Sequence, residues 1–326
     1  MSYIVSQDSL EGLSTRWNDP KQKLDWSSVF VLPAWMSAWM EVFGGGAPLF
    51  VRTVLQDGGI VGIAPLMMRD GAARFIGDTD VCDYQDFIVA PDRERDFCGA
   101  LLDDLRENNV RELDLAHVRP DSIVVTALAP LAGARGHKVD LAREAVSYEM
   151  DLPRTFDEYL VSLTTKQRHE VRRKLRRMSE SGAIEYCSVV DGAAVPAAMD
   201  TFFQMFVESR RDKADFMTER MRSFFRRIAA AMADIGLLKL GVLELDNRPV
   251  AQIMCFDYND CIYLYNSGYD PDYTSLSAGL LSKVLAVKNS IEQGKSRFDF
   301  LKGAEVYKSH LGGREVPLSR CRITMR

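Results

Sequence analysis

The chain contains no C-x-x-C pair, only 4 histidines, and no apolar run approaching the roughly 18–20 residues needed to cross a bilayer. Each absence removes a class of protein. The 6 cysteines (Cys82, Cys98, Cys187, Cys255, Cys261 and Cys321) are scattered, several inside apolar runs such as Met254-Cys255-Phe256, and they read as buried free thiols. His117, His137, His169 and His310 lack metal-ligand spacing, so no metal is expected. The first ten residues carry Asp8 and no basic-then-apolar export pattern, which predicts a cytoplasmic protein without a transmembrane segment. Basic charge is not in excess either: 41 Lys+Arg stand against 46 Asp+Glu, a net charge of −5. That disfavours a protein that coats DNA or RNA with its whole surface.

What is present is an ordinary soluble mixture, 47% hydrophobic and 27% charged, in a chain of 326 residues, long enough for about two domains at ~150 residues each. Helical and extended patterns alternate throughout, predicting an α/β or α+β fold. In the first half, a helix is expected at 33–43, a hairpin at 49–55 and 60–67 about Asp57-Gly58-Gly59, a strand at 87–90, a helix to about 108, a strand at 110–115 and a helix at 121–134. The second half opens with a strand at 147–152 and one long helix from 156 to about 181, its apolar face interrupted only by Gln167. Helices at 197–209 and 218–235, strands at 238–245, 250–256 and 261–265, and a helix at 277–293 follow. A strand at 298–301, a short helix at 305–311 and a strand at 318–324 complete the chain. The halves share an order of turn, strand, Pro-Asp corner, helix and Asp-bearing strand, with Asp114 answering to Asp299, which suggests a duplicated unit divided as residues 1–140 and 141–326.

The most informative stretch runs from Tyr265 to Gly313. Its strand, loop and helix start is the arrangement that offers free backbone N–H groups to a pyrophosphate, and Ser275, Ser277, Ala278 and Gly279 are small enough to allow close approach. Serine is equally an ordinary helix cap. The passage Tyr-Asp-Pro-Asp-Tyr followed by Ser-x-Gly-Leu-Leu is similar to the acyl-CoA-binding core of the GNAT acyltransferases. The whole chain resembles the FemAB-like, CelD-type branch, in which two GNAT-like domains lie in tandem, each a mixed central sheet flanked by helices. The resemblance is carried by Asp299-Phe300-Leu301-x-Gly303-x-Glu305-x-Tyr307-Lys308, Asp83-Tyr84-x-Asp86, Trp35-x-x-x-Trp39 and Pro65-Leu66. It implies acetyl-CoA or another acyl-CoA as co-substrate, bound in the second half. The corresponding loop of the first half, 91–99, is interrupted by acidic residues, so that half is expected to be degenerate and to shape the acceptor side.

Acyl transfer needs a proton removed from the nucleophile, a polarised carbonyl and a protonated leaving group. By resemblance, Tyr307 is the candidate proton donor to the departing thiolate. Lys302 and Lys308 are candidates for carbonyl or phosphate contact, and Asp299 and Glu305 for proton acceptance or for orienting Lys302. Asp83, Tyr84 and Asp86, with Tyr265, are candidate acceptor-binding residues, although a turn before the 87–90 strand would have the same composition. Residues 164–177 carry seven basic side chains, Arg172 and Arg173 among them, against Glu170. This stripe suits an anionic ligand such as CoA, a nucleotide-sugar diphosphate, an anionic polysaccharide or RNA, or else it is a solvated helix face. The predicted reaction is acyl transfer from a small-molecule donor to an amino or hydroxyl group of a sugar, lipid-linked sugar or polysaccharide precursor. The alternatives are aminoacyl transfer from charged tRNA to a peptidoglycan precursor, and a catalytically silent binding module of an exopolysaccharide system.

Overall fold

The computed structural model describes residues 2–19, 21–78 and 80–326. In chain order the elements are β1 (Ile4–Asp8), α1 (Leu10–Trp17), α2 (Pro33–Phe43), β2 (Leu49–Gln56), β3 (Gly59–Arg69), β4 (Ala72–Phe75), β5 (Ile88–Val89), α3 (Glu94–Glu107), β6 (Glu112–Val118), α4 (Ala129–Ala134) and β7 (Lys138–Asp151). They continue with α5 (Phe156–Ser162), α6 (Thr165–Ser179), β8 (Ile184–Val189), α7 (Val195–Ser209), α8 (Arg211–Phe216), α9 (Glu219–Asp234), β9 (Leu238–Leu245), β10 (Arg248–Tyr258) and β11 (Cys261–Tyr269). A 3-10 turn (Pro271–Leu276), α10 (Ala278–Glu292), β12 (Arg297–Lys302), α11 (Val306–His310) and β13 (Arg314–Thr324) close the chain.

Two compact units result, Met1–Ser147 with Val316–Arg326, and Tyr148–Glu315. The expected linear division at 140/141 therefore differs from the structure, because β13 pairs with β6 and takes the last eleven residues back to the first unit. In the first unit β1, β2, β3 and β4 form an antiparallel series, β4 meets β6 in parallel, and β13 lies beyond β6. A core of Phe75, Phe87, Phe97, Leu101, Leu113 and Leu115 lies where α3 covers this sheet. In the second unit β8, β9, β10 and β11 are antiparallel and β11 meets β12 in parallel. Each unit is thus a mixed sheet in which a helix, α3 or α10, leads into the strand that joins in parallel.

The recurrence is real but its first member was misaligned. The strand that occupies the place of β11 is β4, after the Asp70-Gly71 turn, and not the segment at 87–90, which shortens to β5 and pairs with β3. The long helix expected from 156 to 181 is two helices. Leu163 and Thr164 are extended, Thr164 caps α6 by accepting from the Gln167 amide (3.3 Å), and Thr155 with Glu158 forms a capping box at α5. Gln167, the one break in the apolar pattern, marks this second start. Cys187 is exposed, unlike the other five cysteines. No helix among the described residues is long and apolar enough to cross a membrane.

Candidate active site

The parallel pair β11/β12 is paired only over Cys261–Tyr263 and Arg297–Asp299; beyond that point β11 continues to Tyr269 along β10 and β12 continues to Lys302, no longer paired with each other. The two strands part there, and side chains of α8, α10, β12 and α11 meet around the opening.

β12 ends in a strained turn. Leu301 has φ +61° and Gly303 φ +119°, in the region that side chains other than glycine's avoid. The turn is held by its own side chains. Buried Asp299 accepts from the Leu301 amide (2.7 Å), and buried Lys308 donates to the carbonyls of Leu301 (3.0 Å) and Lys302 (2.5 Å) and pairs with Glu305 (3.0 Å). Gly303 is required for its φ, and a Cβ there would also crowd the Glu305 carboxylate. Asp299, Gly303, Glu305 and Lys308, four of the sequence string's fixed positions, therefore build the frame of the turn. Lys308 has each of its three protons on an acceptor, so it clamps the turn rather than reaching toward a cofactor. This frame sets the direction of Tyr307, whose ring meets Phe300 edge-on (centroids 6.4 Å apart) and lies 5.1 Å from the Lys283 ammonium. Burial, with the Glu305 carboxylate nearby, pushes the Tyr307 phenol well above its ordinary range, so it keeps its proton at neutral pH.

At the other end of the opening α10 begins at Ser277, which has φ +61° and makes no side-chain cap bond. The Leu280 and Leu281 amides both donate to the Ser277 carbonyl (3.0 Å each), which leaves Ala278 and Gly279 as the first amides of a 15-residue helix without a helical acceptor. Ser275 is exposed, whereas the Ala278 side chain is fully buried against Leu281 and Val250. Gly279 is constrained by packing: a Cβ would come within 2.6 Å of the Tyr269 ring. Beside this start lies α6, packed on α10 and on the 271–276 turn through Val171, Leu175 and Met178. Its outer face carries Arg172 and Arg173; Arg173 grips Glu170 with two nitrogens (2.9 and 3.0 Å).

Two lysines at the opening were missed by the motif reading. Lys283 of α10 is buried and donates to the Gly279 carbonyl (2.7 Å). Lys213 of α8 donates to the Ser267 carbonyl of β11 and stands 4.7 Å from the Phe206 ring centroid. Burial, then the Arg210 charge, lowers Lys213 to about 8. The only available signal for Lys283 was a single cation in the otherwise apolar run 278–287.

Other predicted site residues lie elsewhere. Tyr265 is buried and packs at a tilt against Phe225 and Phe256 (centroids 5.4 and 5.5 Å), so it belongs to the aromatic packing of α9 on the sheet. In the first unit, Tyr84 is buried edge-on to Phe30 with the Arg119 guanidinium 5.2 Å over its ring. Asp86 accepts from the amides of Phe87 (2.9 Å) and Ile123 (2.8 Å), anchoring the 123–134 helical segment; burial pushes it up to about 7 against those bonds. Asp83 is buried in the same turn. These three positions are turn and core residues rather than an open acceptor cleft. Trp35 and Trp39 are likewise interior, their indoles donating to the Cys82 sulfur (3.2 Å) and Asp78 (3.1 Å).

Residues 165–309 match the family described as an acetyltransferase (GNAT) domain. Among solved structures, that of FemX is similar over 98% of this chain and 97% of its own, at 13% identity and a TM-score of 0.68. A conserved protein of unknown function from Bacteroides thetaiotaomicron matches end to end at 12% identity, with a TM-score of 0.65. A tandem GNAT protein from the clavulanic acid biosynthesis pathway covers 98% of each chain at 12% identity, with a TM-score of 0.50. No curated protein is recognisably similar in sequence. The chain therefore has a FemAB-like tandem GNAT fold.

Proposed function

We propose that this chain, built on the fold of tandem GNAT transferases, moves an acyl group from acyl-CoA, in the first instance acetyl-CoA, to an amino or hydroxyl group of a sugar, lipid-linked sugar or polysaccharide precursor in the cytoplasm. The observation that carries the reading is the parting of β11 and β12, with a helix start at one end and a half-buried, protonated tyrosine at the other. The donor's pyrophosphate meets the Ala278 and Gly279 amides at the positive end of α10. The acyl thioester lies in the opening beyond Tyr263, and Lys302 polarises its carbonyl. The acceptor nitrogen or oxygen bonds to the thioester carbon as the C–S bond breaks, and the departing thiolate takes the phenolic proton of Tyr307. No covalent enzyme intermediate is needed.

Donor binding is tested by thermal shift, because a ligand that binds only the folded state raises its apparent stability. Gly279 is a poor probe, since any side chain collides with Tyr269. Ser275 is exposed, so Ser275→Glu adds charge without disturbing the core; it should weaken acetyl-CoA binding by at least about tenfold, most strongly at low salt. Undiminished affinity in that variant removes the assignment of the helix start.

The position of α6 favours keeping the tRNA-dependent reading as the second one, because a basic helix flanks the same helix start. Replacing Arg172, Arg173 and Arg176 with Glu should leave the melting temperature nearly unchanged, since exposed ion pairs such as Arg173–Glu170 contribute little. It should lower affinity for the anionic donor in a salt-dependent way. A thermal shift with charged tRNA and none with acetyl-CoA would decide for aminoacyl transfer, and unaltered affinity at low salt would make the stripe a solvated face.

A further inference from the structure

We propose that Lys283 is the general base of the transfer, taking the acceptor's proton, and that with Tyr307 it forms one acid–base pair; this rests on the acyl-transfer reading above. The argument begins with placement. Lys283 is the one cation in the first ten residues of α10, a turn beyond the amides assigned to the donor's pyrophosphate, and its nitrogen stands 5.1 Å from the ring centre of the proton donor. Among the described residues its single hydrogen-bond partner is the Gly279 carbonyl (2.7 Å), and no carboxylate lies within ion-pair distance of it. Lys308, nearby, shows what a structural lysine looks like in this fold: two carbonyls and a carboxylate take its protons. A buried ammonium without a counter-ion is costly, and the neutral amine avoids the cost while exposing a lone pair.

The titratable groups that act on Lys283 come from three other elements. They are Lys213 of α8, Cys255 of β10, and Glu305 and Lys308 of the turn and helix after β12. The two lysines disfavour a further charge and outweigh the opposite pull of the Glu305 carboxylate, while the Cys255 thiol, itself pushed up to about 12 by burial, offers no anion at neutral pH. Burial first, then the Lys213 charge, holds Lys283 at about 7, while burial drives Tyr307 upward. Two adjacent titratable groups pushed in opposite directions are the signature of assigned acid and base roles. The step balances. The acceptor's N–H or O–H proton passes to the Lys283 amine as the new bond to the acyl carbon forms. The C–S bond breaks and the thiolate takes the proton of Tyr307. The Lys283 ammonium then returns its proton to the Tyr307 phenolate, restoring both groups.

The test uses the full chain with acetyl-CoA and glucosamine as probe acceptor, following release of the CoA thiol. Wild-type kcat/KM should fall on the acid side with an apparent pKa near 7. Lys283→Met, which fills the same space, and Lys283→Arg, which keeps the charge but cannot accept a proton, should both lose at least about a hundredfold at pH 7.5 and lose that acid limb. A Lys283→Arg enzyme with full activity, or the same acid limb in either variant, overturns the proposal. An NMR titration of the Lys283 side chain, assigned by its absence in Lys283→Met, needs no acceptor and no stable variant beyond that assignment: a midpoint near 7 is expected, and an ordinary lysine midpoint above 10 overturns the proposal. Absence of any acetyl-CoA turnover by the wild type overturns the acyl-transfer reading and this assignment with it, whereas an active wild type with indifferent Lys283 variants overturns this assignment alone.

Discussion

Replacing Tyr307 by Phe should lower kcat by about a hundred- to ten-thousand-fold, with little change in donor affinity, because general acid assistance is typically worth that much. Phe keeps the ring, so the edge contact with Phe300 and the position under the Lys283 amine survive. Only the proton is lost. The direction of the phenol's shift matters to the argument: a group raised above its ordinary value stays protonated through neutral and mildly alkaline pH. The wild-type rate should therefore show no loss from this group between pH 7 and 9. Steady-state kinetics with the melting temperature as a control checks this; full kcat in the variant would move the departing thiolate's proton source elsewhere, with Lys302 the next group to examine.

The second large effect concerns folding of the first unit. Arg52 of β2 and Asp104 of α3 are both buried and joined by two nitrogens, one at 2.7 Å and one shorter contact. Gln7 takes a third guanidinium nitrogen at 3.0 Å. Asp104→Ala leaves that guanidinium inside the unit with its main partner gone, which typically costs about 3–5 kcal/mol. The double variant Arg52→Met with Asp104→Leu should recover most of this loss, since a well-packed apolar pair can match a buried ion pair. Denaturant unfolding of the three proteins measures it. An Asp104→Ala protein as stable as the wild type would mean that the guanidinium turns out to solvent or finds another acceptor.

The fold was largely legible because its signals are local. Pro33, the Asp57-Gly58-Gly59 turn and the apolar runs at 238–258 announce a helix, a hairpin and buried strands, and the structure has them. What escaped was four residues long. β4 is too short for a period, and without it the recurrence of the two halves was drawn through the wrong strand. The site was legible in a different sense. The string from Asp299 to Lys308 stood out for a sound reason, yet most of its positions serve the strained turn at Leu301 and Gly303, and their bonds are not predictable from residue type alone. Lys283 escaped for the opposite reason: a lone lysine on an apolar helix carries no pattern, and its meaning comes from the side chains that three other elements bring around it.

The return of β13 to the first unit sets an order in time. Asp114 of β6 is held by Arg320 (2.5 and 2.9 Å), a partner made 206 residues later, and β6 touches β4 through a single register pair, Ala73 with Leu113. A nascent chain that has emerged through residue 147 therefore lacks the neighbour that covers this edge, and it waits until the second unit's entire sequence has been synthesised. Throughout that interval an apolar strand edge is open to pairing with other chains, so the first unit depends on chaperone shielding or on a partly folded holding state during translation. Loss of residues 316–326 would prolong that state indefinitely, and it should register as aggregation during expression rather than as a defect in catalysis.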